Sequence, residues 1–202
     1  MALNYANNNS LSAITSLPAS VSGGALTLLE TQTASSSATI SFTSNIDSTY
    51  DAYMFKYYDI HPSSSSQLKC NFSTDGGSNY NSTKTTTSFV ALHTENDAST
   101  NLVYQTVRDL AQSTSDMWVS STVPTDNDAS CSGQMILFNP SSSVFVKHFI
   151  TVGNSMATDP GSYHDFFGGY INTTSPVDAV RFNMSTGNID SGTIKLYGIK
   201  DS

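Results

Sequence analysis

The sequence has little charge and little of the sulfur that cross-links small domains. Asp, Glu, Lys and Arg make up 12% of its 202 residues, and it contains two cysteines and one tryptophan. Two cysteines cannot define a disulfide framework, and Cys70 and Cys131 lie too far apart for a CxxC motif. The longest apolar runs fall well short of the roughly 20 residues of a membrane-spanning helix. We therefore expect neither a disulfide-rich scaffold nor a membrane partner.

The charge that is present is mainly acidic. Sixteen acids stand against eight bases, which gives a formal net charge of −8 and a pI near 4.6. Such a surface repels phosphate groups, and the sequence has no cluster of Lys and Arg that overrides this repulsion. We expect no nucleic acid and no anionic membrane among the partners. Met1–Tyr5 lack the basic and apolar regions of a secretory signal, so no signal peptide is expected.

Hydroxyl groups are abundant, and many of them follow a period of two. The chain has 35 serines and 24 threonines, together with ten Phe and ten Tyr. Ala38, Ile40 and Phe42 alternate with hydroxyl residues, and Leu68 and Cys70 lie in a similar alternation. This period places one set of side chains in a core and the other in water, as in a half-buried β-strand. The pattern predicts an all-β protein.

Residues 25–202 predict roughly ten to twelve short strands, separated by turns rich in Ser, Gly, Asn and Pro. This is typical of a single antiparallel β-sandwich domain that resembles a jelly roll. The region around Leu102–Leu110 is irregular and is also compatible with a short helix. The predicted strands are Ala25–Thr33, Ser37–Thr43, Tyr50–Ile60, Gln67–Ser73, Ser88–His93, Leu102–Tyr104, Met117–Val119, Ser132–Phe138, Val144–Val152, Asp165–Ile171, Ala179–Met184 and Gly192–Ile199.

Residues 1–24 differ from this body and predict an extended N-terminal arm. A polar, Asn-rich patch precedes regularly spaced apolar residues, and Gly23-Gly24 ends the segment like a hinge. So short a segment cannot offset its ordering entropy alone. It is therefore either a frayed terminus or an arm that orders on a partner subunit. The candidate contact residues of the arm are Leu3, Tyr5, Leu11, Ile14 and Leu17.

Three positions inside the body carry further predictions. Tyr50–Ile60 has apolar residues on both faces, which suits a central strand of a sandwich or a strand at a subunit contact. Cys70 falls on the apolar phase of its strand, which favours a buried free thiol over a disulfide with Cys131. His148 also falls on an apolar phase, which favours a hydrogen-bonded core histidine over a catalytic one.

No motif in the sequence indicates a reaction, a metal or a cofactor. Asp59 and His61 lack a serine placed as a nucleophile. The run Asp126–Asp128 lacks the glycine and distal glutamate of a calcium loop, which favours a solvated turn. An enzyme that degrades glycans needs two carboxylates across a cleft, and no two acids are placed in that way. We expect that the protein is not an enzyme.

Aromatic residues are the best candidates for contact with a ligand. Exposed rings are common platforms for a sugar ring or anchors for a partner protein, and core packing is the alternative for each of them. The candidates for glycan binding are Trp118, Tyr163, Phe166 and Phe167.

Several blocks between Ser37 and the end of the chain form a set of turn and strand motifs. They are Ile46–Tyr50, Ile60–Pro62, Asn71–Tyr80, Leu137–Ser142, Phe145–Phe149 and Ser191–Ile199. In these blocks the chain resembles small virion-associated proteins of tailed phages, especially those of marine and cyanobacterial hosts. The resemblance implies a β-sandwich of the kind that recurs in head-decoration and tail-fibre proteins, and it carries no active-site residues.

We therefore expect a capsid decoration (cement) protein on the virion surface, made in the host cytoplasm. Docking is expected through the N-terminal arm and one edge of the sandwich. The expected partners are the major capsid protein or other virion subunits, and further copies of the chain in a homotrimer. The alternative is a tail-fibre or spike component whose outer loops bind host polysaccharide.

Overall fold

The computed structural model describes residues 25–199, and the predicted arm with its five contact candidates lies outside them. The described part consists of 13 strands joined by turns and loops, which confirms the all-β class. The strands are β1 Leu26–Thr33, β2 Ile40–Phe42, β3 Ala52–Pro62, β4 Leu68–Ser73, β5 Lys84–Thr94, β6 Thr100–Tyr104, β7 Leu110–Ser113, β8 Met117–Trp118, β9 Cys131–Phe138, β10 Lys147–Met156, β11 Gly161–Ile171, β12 Ala179–Met184 and β13 Ile189–Ile199.

Antiparallel pairing divides these strands between two sheets. The large sheet has nine strands in the order β1-β13-β3-β9-β10-β11-β5-β6, with β7 also paired to β5. The small sheet has four strands in the order β2-β12-β4-β8. The two sheets share one hydrophobic core, so the arrangement is a β-sandwich.

The predicted strands are all present, each with ends within about four residues of the prediction. The sequence predicts no strand at β7, which is short and pairs with β5 only at its two ends. A helix over Leu102–Leu110 is wrong, because Leu102 pairs with Ala91 in β5 and the chain then turns back toward β7. Pairing with a neighbouring strand overrides the local preference here.

Large aromatic side chains hold the two sheets together. Phe55 of the large sheet meets Phe42 and Phe182 of the small sheet at ring-centroid distances of 5.3 and 5.6 Å. Phe72 meets Phe149 across the sheets at 5.3 Å. Such aromatic pairs contribute about 0.5–1.5 kcal/mol each beyond the burial of their apolar area. The small sheet therefore covers the inner face of the large sheet.

Cys70 and Cys131 are both buried and free, as the apolar phase of Cys70 predicts. The sulfur of Cys70 lies 3.8 Å from the sulfur of Met135 inside the core. Burial raises the pKa of both thiols, that of Cys131 to about 12. Both side chains therefore act as small apolar groups and not as reactive thiolates.

A β-bulge in β3 changes the face on which its side chains lie. The pairing with β9 shifts between Tyr57 and Ile60, and Asp59 within the bulge has a φ of 50°. Tyr57 and Ile60 are consequently both buried although they are three positions apart. On the opposite face of β3, Met54 and Tyr58 are only partly covered, so the sandwich buries one face of this strand.

The sandwich also encloses two lysines, which pair with backbone carbonyl groups. Lys84 Nζ donates to the carbonyl oxygens of Ser82 and Ser115 at 2.9 and 2.7 Å, and Lys147 Nζ donates to that of Thr173 at 3.0 Å. Burial lowers the pKa of Lys84 to about 8 and also lowers that of Lys147. These ammonium groups serve to tie loops to the ends of β5 and β10.

The prediction that His148 lies in the core is wrong. His148 is exposed, whereas its neighbours Lys147 and Phe149 are buried. Both phases of β10 carry apolar residues, so the sequence pattern alone does not decide between them. Lys147 can point inward because its ammonium group donates a hydrogen bond to the Thr173 carbonyl oxygen. The inward position of Lys147 places His148 and Ile150 on the opposite face of β10.

Tyr57 packs over two glycines on the inner face of the large sheet. Tyr57 pairs with Gly133, which pairs with Gly153. A Cβ atom at either glycine would overlap the Tyr57 hydroxyl oxygen. That hydroxyl is buried and has no hydrogen-bond partner among residues 25–199. The ring position therefore depends on two residues without side chains.

We predict that Gly153→Ala destabilises the protein by about 2 kcal/mol, because the added methyl group overlaps the Tyr57 hydroxyl. In a Tyr57→Phe background the loss should be at most half as large, since the next contacts of that methyl group lie at 3.2 and 3.3 Å. Tyr57→Phe alone should be close to neutral, because it removes an unpaired buried hydroxyl. Urea unfolding of the four proteins gives the coupling energy, and a value near zero contradicts this packing.

Candidate docking surface

The face of the large sheet that points away from the small sheet, called the outer face below, carries two continuous rows of side chains. Antiparallel register aligns these residues across neighbouring strands. The first row is Thr31, Lys195, Lys56, Gln134, Val152, Phe166, Phe89 and Tyr104. The second row is Leu28, Tyr197, Met54, Ile136, Ile150, Gly168 and Thr87.

Apolar side chains on these rows are unusually accessible to solvent. Leu28 is 52% exposed, Ile150 47%, Phe89 42% and Tyr104 49%. Single exposed apolar residues are ordinary, but a contiguous apolar surface on a protein is a common sign of an interaction site. The outer face is therefore the candidate interaction surface among residues 25–199.

The charge of the outer face differs from that of the whole protein. Neither row contains an Asp or a Glu, although the chain has a net charge of −8. Lys56 and Lys195 are direct register partners near one end of the face. Their ammonium nitrogens lie 5.9 Å and 5.7 Å from the ring centres of Tyr197 and Tyr58. The face is thus neutral over most of its width and positive at one end.

Two aromatic rings stand upright on the outer face. The rings of Phe89 and Phe166 are nearly parallel, at 10°, with centroids 4.6 Å apart. This separation matches the spacing of adjacent strands, so each ring stands perpendicular to the sheet. His164 covers the ring of Phe166 at 4.3 Å. Each of these two rings therefore covers one face of the other, while Phe89 remains 42% exposed.

Two shallow grooves on the outer face meet at Val152. One has a volume of about 270 Å³ and is lined mainly by apolar groups, including those of Phe89 and Phe166. The other has a volume of about 420 Å³ and has polar groups on its walls, among them those of Gln134 and Asn154. Because of these two grooves the outer face is uneven and not flat.

The four aromatic candidates for glycan binding do not share one surface. Phe166 lies on the outer face, as described above. Phe167 is 3% exposed and belongs to the core, so its ring is not available to a glycan. Tyr163 is half-buried and points to the same side of β11 as Phe167. Trp118 lies on β8, in the other sheet. No common platform of these rings exists.

Trp118 is part of a tightly bonded cluster that includes a buried ion pair. The guanidinium carbon of Arg108 and the ammonium nitrogen of Lys69 lie 5.1 and 5.5 Å from the Trp118 ring centre. Arg108 Nη1 also donates to Asp165 Oδ1 at 3.1 Å. Asp165 is 1% exposed and accepts further hydrogen bonds from the Ser121 amide and hydroxyl at 2.8 and 2.7 Å. Burial raises the pKa of Asp165 above its ordinary value.

This cluster has a structural role. Arg108 lies in the turn between β6 and β7, and Ser121 lies in the loop after β8. By binding both segments, the Asp165 carboxylate holds the irregular region between β6 and β9 against the large sheet. Breaking a buried pair from one side leaves an uncompensated charge and costs several kcal/mol.

The titratable residues singled out in the sequence meet at one end of the sandwich. Asp59, His61 and Asp128 line a polar pocket of about 480 Å³ together with Asp190. Asp190 accepts a hydrogen bond from the Ser36 hydroxyl at 2.6 Å, and His61 Nδ1 lies 2.7 Å from the Ala129 carbonyl oxygen. Residues 126–128 form an exposed turn, as predicted. Within residues 25–199 no three His, Cys, Asp or Glu side chains are placed to hold a metal ion.

A search among the described residues finds no helix long and apolar enough to cross a membrane. No family model, no curated protein and no solved structure matches this chain. The outer face is therefore interpreted from its own geometry and charge.

Sequence reasoning missed most of the outer face, although one signal pointed to it. Apolar residues on both phases of Tyr50–Ile60 predicted either a central strand or a strand at a subunit contact. The structure bears out the first alternative, because β3 lies inside the large sheet between β13 and β9, and Met54 is half-buried on its outer face. The same signal is present in β10, where Phe149 is buried while Ile150 and Val152 lie on the outer face. Only the register shows that these residues adjoin.

We predict that Arg108→Met destabilises the protein by about 3 kcal/mol, because it leaves the Asp165 carboxylate buried without its cation. The matched control is Arg181→Met, which breaks a more exposed pair with Asp116 at the same distance of 3.1 Å. Its loss should stay below about 1 kcal/mol. The free energies of unfolding in urea measure both, and equal losses contradict a structural role for the buried cluster.

Proposed function

We propose that this protein is a structural subunit of a phage virion, a capsid decoration (cement) protein. Its activity is adhesive: it binds a shell of other subunits and stabilises the assembled state by mass action. The N-terminal arm and the adjoining edge of the sandwich are the parts that bind the shell. The partners are the major capsid protein or other virion subunits, and the protein works at the virion surface.

The observation that carries this proposal is the outer face. An acid-free and partly apolar surface on a strongly acidic chain is the kind of surface that a subunit of an assembly needs. The resemblance of the turn and strand motifs to small virion proteins supports the same role. Aromatic pairs also join the two sheets of the sandwich into one body, as a structural subunit requires.

The edge strand β1 is the part of the sandwich best suited to join the arm in docking. Among the strands of residues 25–199 it lies at the end of the large sheet and pairs only with β13. Leu26 and Leu28 on this strand are 39% and 52% exposed. Residues 1–24 precede it directly, so arm and edge can bind one continuous strip of a partner. An unpaired edge is a common template for such contacts.

A tail-fibre or spike component that binds host polysaccharide is the alternative function, and the site geometry supports it less. Glycan platforms need ring faces that are open to solvent. The face of Phe166 is covered by Phe89 and His164, and Trp118 lies between the cations described above.

Binding to virions that lack this protein tests the proposal. The full-length protein should co-sediment with such particles and raise the temperature at which they release their genome. Leu11→Asp combined with Ile14→Asp should reduce binding at least tenfold, because it places two charges among the apolar residues of the arm. The control is Val107→Asp, at a 77% exposed position in the turn between β6 and β7, near the opposite edge of the sheet.

The control variant should bind like the unmodified protein. Absence of binding by the unmodified protein would overturn the proposed function. Equal binding by the arm variant and the control would overturn the role of the arm.

A further inference from the structure

The two ends of the outer face have opposite electrostatic character. Lys56 and Lys195 lie toward the β1 end of the first row, and Tyr104 ends that row at β6. The Tyr104 hydroxyl donates a hydrogen bond to Asp109 Oδ2 at 2.7 Å, which places a carboxylate beside this end. Between the ends, the face is neutral. When such a row faces the same row of a second copy in the reversed direction, the cations of each copy come near the carboxylate of the other.

We propose that a second copy of this chain covers the outer face, so that two outer faces pack together about a twofold axis. The axis runs parallel to the strands and lies between the large sheets of the two copies. It passes above the middle of the first row, at Gln134 and Val152. Rotation about it reverses the row, so that Lys195 on β13 of each copy lies over β5 of the other, one strand from the Tyr104–Asp109 pair, and Lys56 lies over Phe166. Contacts of this kind are isologous, as in most homodimers. The inference builds on the proposed role as an assembly subunit and replaces the homotrimer expected from the sequence with a twofold pair.

Charge favours a second copy as the occupant. Two chains of net charge −8 repel each other at most approaches, and an acid-free face lets them come close. Lys56 and Lys195 are like charges placed directly opposite on neighbouring strands, an arrangement that is unfavourable in isolation. The Asp109 carboxylate of a second copy, which lies one strand from Lys195 after the rotation, relieves this repulsion.

The size of the outer face is adequate for a stable pair. Eight strands across the sheet, at about 4.8 Å per spacing, give a width of roughly 34 Å, and strands of this length extend for about 20 Å. Two such faces bury on the order of 1,200–1,400 Å² in total, which lies within the range of specific protein interfaces. The centre of the contact is apolar, because Met54, Ile136 and Ile150 lie side by side in the second row.

The shape of the centre also suits a protein surface. The stacked rings of Phe89 and Phe166 form a ridge, and the groove beside them is lined in part by Gly168, which has no side chain. Reversal of the row by the twofold axis brings the ridge of one copy over the β3 and β13 side of the other, where side chains are longer and more flexible. Two sheets packed in this way interdigitate at a separation of about 10 Å.

Sedimentation equilibrium of the full-length protein tests the pair directly. At tens of micromolar the mass should be twice the chain mass of 21.6 kDa. Ile150→Lys should shift the protein to a single chain mass at the same concentration, because it places a charge in the apolar centre. Ile150 is 47% exposed, so the fold tolerates a lysine there. The control is Val144→Lys, a 69% exposed position in the loop before β10, which should remain dimeric.

A charge exchange tests the twofold arrangement itself. Lys195→Glu should weaken the dimer about tenfold at low ionic strength, because it places an acid one strand from the Asp109 carboxylate of the other copy. Adding Asp109→Lys should restore most of the affinity. Failure of the second substitution to restore it contradicts the proposed axis.

Three results would overturn this inference: a single chain mass for the unmodified protein at 100 micromolar, a trimer, or equal behaviour of Ile150→Lys and Val144→Lys. The first two are independent of the particle experiment. A monomeric protein that still binds virions overturns the dimer alone, whereas a dimer that binds no virions overturns the proposed function alone.

Discussion

The structure depends on one constraint: the chain builds a nine-stranded sheet with two faces, and the rest of the sandwich covers only one of them. The aromatic contacts of Phe42, Phe55 and Phe182 join the small sheet to the inner face. The described residues include no helix or further layer above the outer face. An antiparallel sheet can leave one face in water, but that face is then usually polar. Here its rows are partly apolar instead, and the proposed second copy would cover them.

The period of two made the fold class and most strands predictable, because a strand that is buried on one face has alternating apolar and polar residues. Aromatic strands such as Tyr50–Ile60 and the alternating segment around Cys70 were placed correctly for this reason. The buried state of Cys70 followed from the same phase. Prediction failed where both phases are apolar, as in β10, because the pattern then allows either face to point inward. There the inward placement of Lys147 decided the phase, and a lysine gives no sequence signal of burial.

The outer face could be predicted only in part, because it is a property of register and not of any one strand. Lys56 and Lys195 are far apart in the chain and become neighbours through the pairing of β3 with β13. The stacked pair of Phe89 and Phe166 likewise depends on the pairing of β5 with β11. The amino-acid composition gives the acidic net charge of the chain, but it does not show that the rows of the outer face lack acidic residues. For the same reason the aromatic candidates do not share one surface, since Phe166 and Phe167 are adjacent in sequence yet lie on opposite faces.

The most direct test of the account is a distance between two copies measured by pulsed electron paramagnetic resonance. A spin label at Gln134→Cys lies next to the proposed axis, and the native thiols of Cys70 and Cys131 are buried and unreactive. Two packed sheets predict a distance below about 25 Å between the labels, given a separation of about 10 Å between the backbones. A distance above about 40 Å, or no dipolar coupling, would contradict the claim that the outer face is covered by a second copy.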